Sequence, residues 1–373
     1  MPAMNPGRPT FAFSLAALGA LALAAAVTAC GAQRPSVPLG DPLAAEIARW
    51  SEFVAADTAS DDNSVQVRRV VTPALSQARG SLVAGRRLHA LLRLGAARTF
   101  LGALTYTREH PEAARSQEAL EAEWQRAGAT LLAETPEAAA RSLANVRPAA
   151  VRAMGEAAIP AVRISYDASL SYGRATIADA GLYYLGEAAA HRQFVALVRS
   201  LAETTSAREP AFRRIGPEIA ALQSEMLAVY RPPVSIDRHP EFIGASAALK
   251  EAHELDAAGL PRGALLRYLQ ATLRFQPLRA NPPAFDAAMT PARLREFATR
   301  LAAGGTDHSL GRLFLETAQS DLEDTSATAT HATAAAVAEV VLPRYLAALE
   351  PAPPAPPAPA PQVTVTLVRW PYT

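Results

Sequence analysis

Ser246 and Lys250 stand four residues apart, and Lys250 is the only lysine among the 36 lysine and arginine residues of the chain. On one helix face that spacing sets a hydroxyl beside an amine, a pairing that performs acyl transfer when burial lowers the amine pKa. Glu254 follows Lys250 at the same interval, and a surface ion pair is the simpler use of the lysine. His253-Glu254 opens a His-Glu-x-x-His zinc pattern, but position 257 is alanine and the second ligand is missing. Glu187 and His191 read as a helix-surface hydrogen bond, with no further ligand to make a metal site. Glu121 and Glu123 lie on a charged stretch and read as solvated. The run Asp57–Ser64 lacks the glycine and terminal glutamate of a calcium loop and reads as a polar loop. No glycine-rich phosphate-binding motif is present. The expectation is therefore no catalytic residue, no cofactor and no metal ligand set.

The elements that would position such residues are helical. Asp41-Pro42 offers an N-cap followed by proline at the first helical position, and Leu43, Ile47, Trp50 and Val54 then recur on one helix face. Thr72-Pro73 repeats the start signal, with Leu75, Ala78, Leu82, Leu88 and Leu92 continuing a stripe. Gly80, Gly85, Gly95 and Gly102 predict breaks or close helix contacts. Further helices are expected at about 112–133, 136–158, 174–203, 210–230, 242–258, 261–275, 291–303, 307–323 and 327–349. Alternating Val/Ile/Thr runs are absent until the last dozen residues, so the fold class is all-α.

Two arrangements suit that class. Residues 243–277 resemble a tetratricopeptide-type helix pair: Gly259 makes the turn, Ala264, Tyr268 and Ala271 follow at offsets of four and three, and Pro277 stops the second helix. The first helix departs from that pattern, with Glu251-Ala252 where Leu-Gly is expected. A second pair at 291–323 carries Leu310, Phe314 and Thr317 at similar positions, and 183–189 is a fainter match. An irregular helical-repeat array and a helical bundle both remain open. The parts are a signal peptide (1–29), a tether (30–40), a helical N-terminal part (41–231), a helical C-terminal part (240–350) that can be continuous with it, a Pro-rich linker (351–361) and an extended tail (362–373).

Composition narrows the partners. The 373 residues carry a formal net charge of +1, which argues against nucleic-acid binding. Charge is uneven along the chain: residues 65–110 hold eight arginines against one acid, and 111–141 hold six glutamates against three arginines. Either a basic face meets an anionic surface, or neighbouring helices pair their charges. Tyr166, Tyr172, Tyr183 and Tyr184 fill helix interfaces or, if polar groups converge on them, line a ligand groove.

Arg8 precedes an uncharged apolar run, Phe11 to Val27, that ends in Val27-Thr28-Ala29-Cys30, and Cys30 is the only cysteine. This is the order of a secretory signal, and the four residues resemble the lipobox of bacterial lipoproteins. The resemblance implies that Cys30 carries the lipid, that the membrane is reached through it, and that the protein belongs to the cell envelope. Gly31 stands where an inner-membrane-retention aspartate occurs in that class, which implies the outer membrane if the cell has one. With Cys30 modified, no thiol is left for a disulfide.

At the other end, residues 351–361 suit polyproline II and reach roughly 34 Å at ~3.1 Å per residue. Val363, Val365 and Leu367 then alternate with Thr364, Thr366 and Val368, and Trp370 and Tyr372 follow. Such a strand packs on its own domain, stays loose, or adds to the sheet edge of an envelope protein partner, with these five residues as contacts. The functional expectation is an envelope-anchored, non-enzymatic helical scaffold or adaptor. The alternative is a ligand-binding or hydrolytic enzyme with a cleft between helical halves.

Overall fold

The computed structural model describes residues 41–175, 178–203, 207–231, 236–323 and 328–349. Among them the regular structure is helical: α1 (Pro42–Ala56), α2 (Asp62–Val83), α3 (Arg87–Glu109), α4 (Gln117–Leu131), α5 (Pro136–Ser142), α6 (Ala149–Ala175), α7 (Ala178–Ser200), α8 (Gly216–Val229), α9 (His239–Ala257), α10 (Pro261–Phe275), α11 (Met289–Ala302), α12 (Ser309–Glu323), α13 (Thr328–Ala336) and α14 (Leu342–Ala347). No strand forms among these residues, and an isolated bridge joins Arg208 to Thr306. The all-α class is what the structure shows.

Local chemistry explains most boundaries. The Asp41 carboxylate accepts from the Leu43 amide at 3.0 Å and so caps α1. Asp61 caps α2 through Ser64, so part of the expected polar loop is a helix start. Pro73 does not begin a helix; it lies inside α2 on the solvent side, where the carbonyl it leaves unpaired faces water. The expected helix at 136–158 is two, α5 and the start of α6, with the cis Arg147–Pro148 peptide between them. Gly85, at φ +76°, turns the chain from α2 into α3.

Packing order departs from chain order. α3 packs on α7, α7 on α6, and α6 on α10, while α12 returns to cover α3 and α6. The α9–α10 hairpin has the expected form, with Gly259 at φ +72° and Ala264, Tyr268 and Ala271 all buried. Successive pairs do not stack one on the next as an array requires. The helices form an irregular bundle with one continuous core running from Leu43 to Ala348. A satellite core, including Leu120, Leu131, Tyr166 and Leu182, joins α4, α6 and α7.

Close approach of α3 and α7 needs glycine. A Cβ on Gly186 would stand 2.5 Å from the Ala103 Cα, and one on Gly102 would stand 2.6 Å from the Ala190 Cβ. Four helix N-termini are capped by carboxylates from distant parts of the chain. Asp307 accepts from the Ala149 amide at 2.6 Å, Glu156 from Gly263 at 2.9 Å, Glu316 from His89 at 2.9 Å, and Asp256 from Ile215 at 3.4 Å.

Candidate functional site

Three helical stripes converge at α6. On α6 itself, Ala161, Ser165, Ala168 and Tyr172 recur at spacings of four, three and four. Along α7 come Tyr183, Tyr184, Glu187 and His191, and along α10 come Arg267, Gln270 and Arg274. α6 packs against both α7 and α10, which make no extensive contact with each other. α6 thus lies between α7 and α10, and the three stripes together mark a candidate groove along it.

Its residues range from buried Ser165 through half-buried Tyr183, Tyr184, Glu187, His191 and Arg267 to exposed Tyr172 and Arg274. Burial pushes the Glu187 carboxyl up to about 7, with the Ser165 hydroxyl hydrogen bond acting against that rise. Burial, assisted by the Arg267 charge, pulls His191 down to about 4, so its imidazole is neutral at pH 7. Burial also raises Tyr183 and Tyr184, and the Glu187 charge adds to both shifts. The rings of Tyr184 and Tyr172 stack at 4.7 Å, and Tyr172 remains 48% exposed.

On the opposite wall, Arg267 is held by Glu251 at 2.7 Å and donates to the Gln270 side chain at 3.0 Å. Arg274 donates to the Gly244 carbonyl at 3.1 Å. Desolvation by the surrounding protein lowers the Arg274 pKa and Arg267 lowers it further, against the opposing charge of Glu251, while the side chain keeps contact with solvent. Two arginines with one carboxylate between them leave this wall positive. The groove thus offers stacked rings, a carboxyl that exchanges its proton near neutrality, a neutral imidazole and an excess of positive charge. Such a set can hold a polar ring by stacking and a negative substituent by charge, and Glu187 has a pKa suited to proton transfer.

The sequence singled out Tyr172, Tyr183 and Tyr184, and the structure brings them together with Glu187 and His191. The last two are groove residues, not an exposed hydrogen-bonded pair. Tyr166 goes elsewhere: it stacks on Trp124 at 4.7 Å and donates to the Trp124 carbonyl at 3.1 Å in the satellite core. Ser165, Arg267 and Arg274 were not anticipated. Arg267 and Arg274 lie two helical turns apart on α10, and that spacing was their one sequence signal.

The other candidates resolve simply. Lys250 is 78% exposed in its side chain and lies 3.8 Å from Glu254, an ion pair. His253 is exposed on the same helix. Glu121 pairs with Arg174 at 2.6 Å. Glu123 is buried, not solvated; burial works to raise its carboxyl, but hydrogen bonds from Arg126 and Tyr106 outweigh that and hold it low. The basic stretch 65–110 is largely paired with other elements: Arg68 and Arg108 with Asp57, Arg87 with Asp41, Arg98 with Glu46 and Arg86 with Glu323. Among the described residues no group of three or more His, Cys, Asp or Glu can hold a metal ion, and no helix is long and apolar enough to cross a membrane. Cys30, Val363, Val365, Leu367, Trp370 and Tyr372 lie outside the described residues. No family model, no curated protein and no solved structure matches the chain.

Proposed function

We propose that this protein is an envelope lipoprotein, tethered through Cys30, whose helical domain binds a small ring-bearing anionic ligand in the groove over α6. The observation that supports this reading is the Arg267 charge on α10 acting on His191 of α7, with Tyr184 and Glu187 on the same face of α7 and Arg274 two turns along α10. Aromatic faces take the ring, and the positive wall takes the charge. The tail contacts Val363, Val365, Leu367, Trp370 and Tyr372 extend this proposal to an envelope protein partner. Truncation after Glu350 tests that extension separately, by loss of captured partner.

The groove reading is tested by calorimetric titration of the full chain with glucuronate and 4-hydroxybenzoate, each against its uncharged counterpart, glucose or phenol. The acidic member of at least one pair is expected to bind, and R274Q and Y184A to weaken that binding by about tenfold or more each. Equal affinity for charged and uncharged members, or binding unchanged in both variants, refutes the groove as the site.

A second reading is favoured by Glu187. A carboxyl shifted to about 7 beside a neutral histidine is equipped to take a proton from a bound ligand. It predicts turnover that rises as Glu187 ionises and is abolished in E187Q while binding persists.

A further inference from the structure

Where the satellite core meets the main core, a pocket of about 130 Å³ opens among α4, α5, α6 and α7. Leu131, Ala139, Ile159, Val162 and Val195 give it aliphatic walls, and Arg192 reaches it from α7. Arg192 has no hydrogen-bond or ion-pair partner among the described residues, and its Nη1 atom is shut away from solvent. The other charged groups at the rim are already engaged. Glu134 accepts from Arg199 with both oxygens at 2.7 Å, and Arg163 pairs with Asp167 at 3.2 Å.

A guanidinium with no protein partner at the edge of an aliphatic pocket leaves both its charge and the apolar wall without a matching group. One ligand chemistry satisfies both. A carboxylate matches the planar fork of arginine, and a short alkyl chain fills the aliphatic walls. We propose that this pocket binds a short-chain monocarboxylate, its carboxylate on Arg192 and its chain along Ile159, Val162 and Val195. A cavity of ~150 Å³ admits benzene, so a chain of about four to six carbons is the size that fits. The site is separate from the groove over α6: His191 and Arg192 are adjacent in sequence but about 100° apart around α7.

The test is calorimetric titration of the full chain with hexanoate at pH 7, with 1-hexanol and acetate as comparisons. Hexanoate is expected to bind saturably, and 1-hexanol and acetate to bind about tenfold more weakly or not at all. R192Q is expected to lose about tenfold or more in hexanoate affinity. It breaks no existing pair, so its circular dichroism and melting temperature should match the parent. V162F, which fills the pocket, is expected to abolish binding, and the R192Q comparison decides the question whether or not V162F folds. Absence of hexanoate binding by the parent chain, equal binding by R192Q, or equal affinity for 1-hexanol overturns the proposal. R274Q should leave hexanoate binding unchanged, which keeps this test distinct from that of the groove.

Discussion

Glu187 and His191 share one face of α7 and respond to burial in opposite senses. In the unfolded chain a glutamate ionises near 4.5, whereas the folded carboxyl holds its proton to about 7. Between those values the folded state binds more protons, so this residue's contribution to stability falls as pH rises from about 4.5 to 7. His191 is neutral in the fold down to about 4 but titrates at 6.5 when unfolded, so its contribution falls as pH drops from 6.5 to 4. The two dependences offset each other across much of that range. E187Q is therefore expected to match the parent near pH 4.5 and to exceed its stability by roughly 1–3 kcal/mol at pH 8. Urea unfolding at several pH values measures the difference, and a difference that stays constant with pH would remove Glu187 from the set of buried protonated groups.

Helices were legible where a single periodicity suffices. Leu43, Ile47 and Trp50 are all buried on α1 as their spacing predicts, and α9–α10 turns at Gly259. Boundaries were less so, because proline serves both as a helix start and, on a solvent-facing surface, as an interior residue; Pro73 is the second kind. The four-residue interval of Glu187 and His191 was legible, but as a helix-surface pair, and their sharing a face with Tyr183 was not read from it. Arg267 on α10 was not legible either, because it comes near His191 only through the way α6 packs on both α7 and α10. That packing depends in turn on α7 lying close to α3. G186A places a methyl group 2.5 Å from backbone at Ala103, which no rotamer change relieves. It is expected to cost about 1–3 kcal/mol, read as a lowered melting temperature, and to weaken groove ligands by displacing α7. A variant as stable as the parent would show that α3 and α7 have room to separate.

Over the whole molecule, the division at 231–240 suggested by the sequence does not interrupt the core, which passes through both halves. The distant caps cross that division too. Expressed alone, residues 41–231 would lack Asp307 at the start of α6 and Glu316 at the start of α3. The fragment is expected to be substantially less helical per residue than the full chain, and addition of residues 236–349 should restore helicity. Circular dichroism of the two fragments, separate and mixed, measures this. A fragment 41–231 that melts cooperatively by itself would establish two independent domains.

The same caps bear on the order in which the chain acquires structure. The amide at Ala149 waits for a carboxylate 158 residues further on, and that at His89 for one 227 residues further on. Closing such long loops is entropically slow compared with forming a local turn. α3 and α6 thus gain these caps only after the last third of the polypeptide has arrived. Under the proposal that the chain is exported, that dependence keeps α3 and α6 without their final caps while the remainder is still being synthesised.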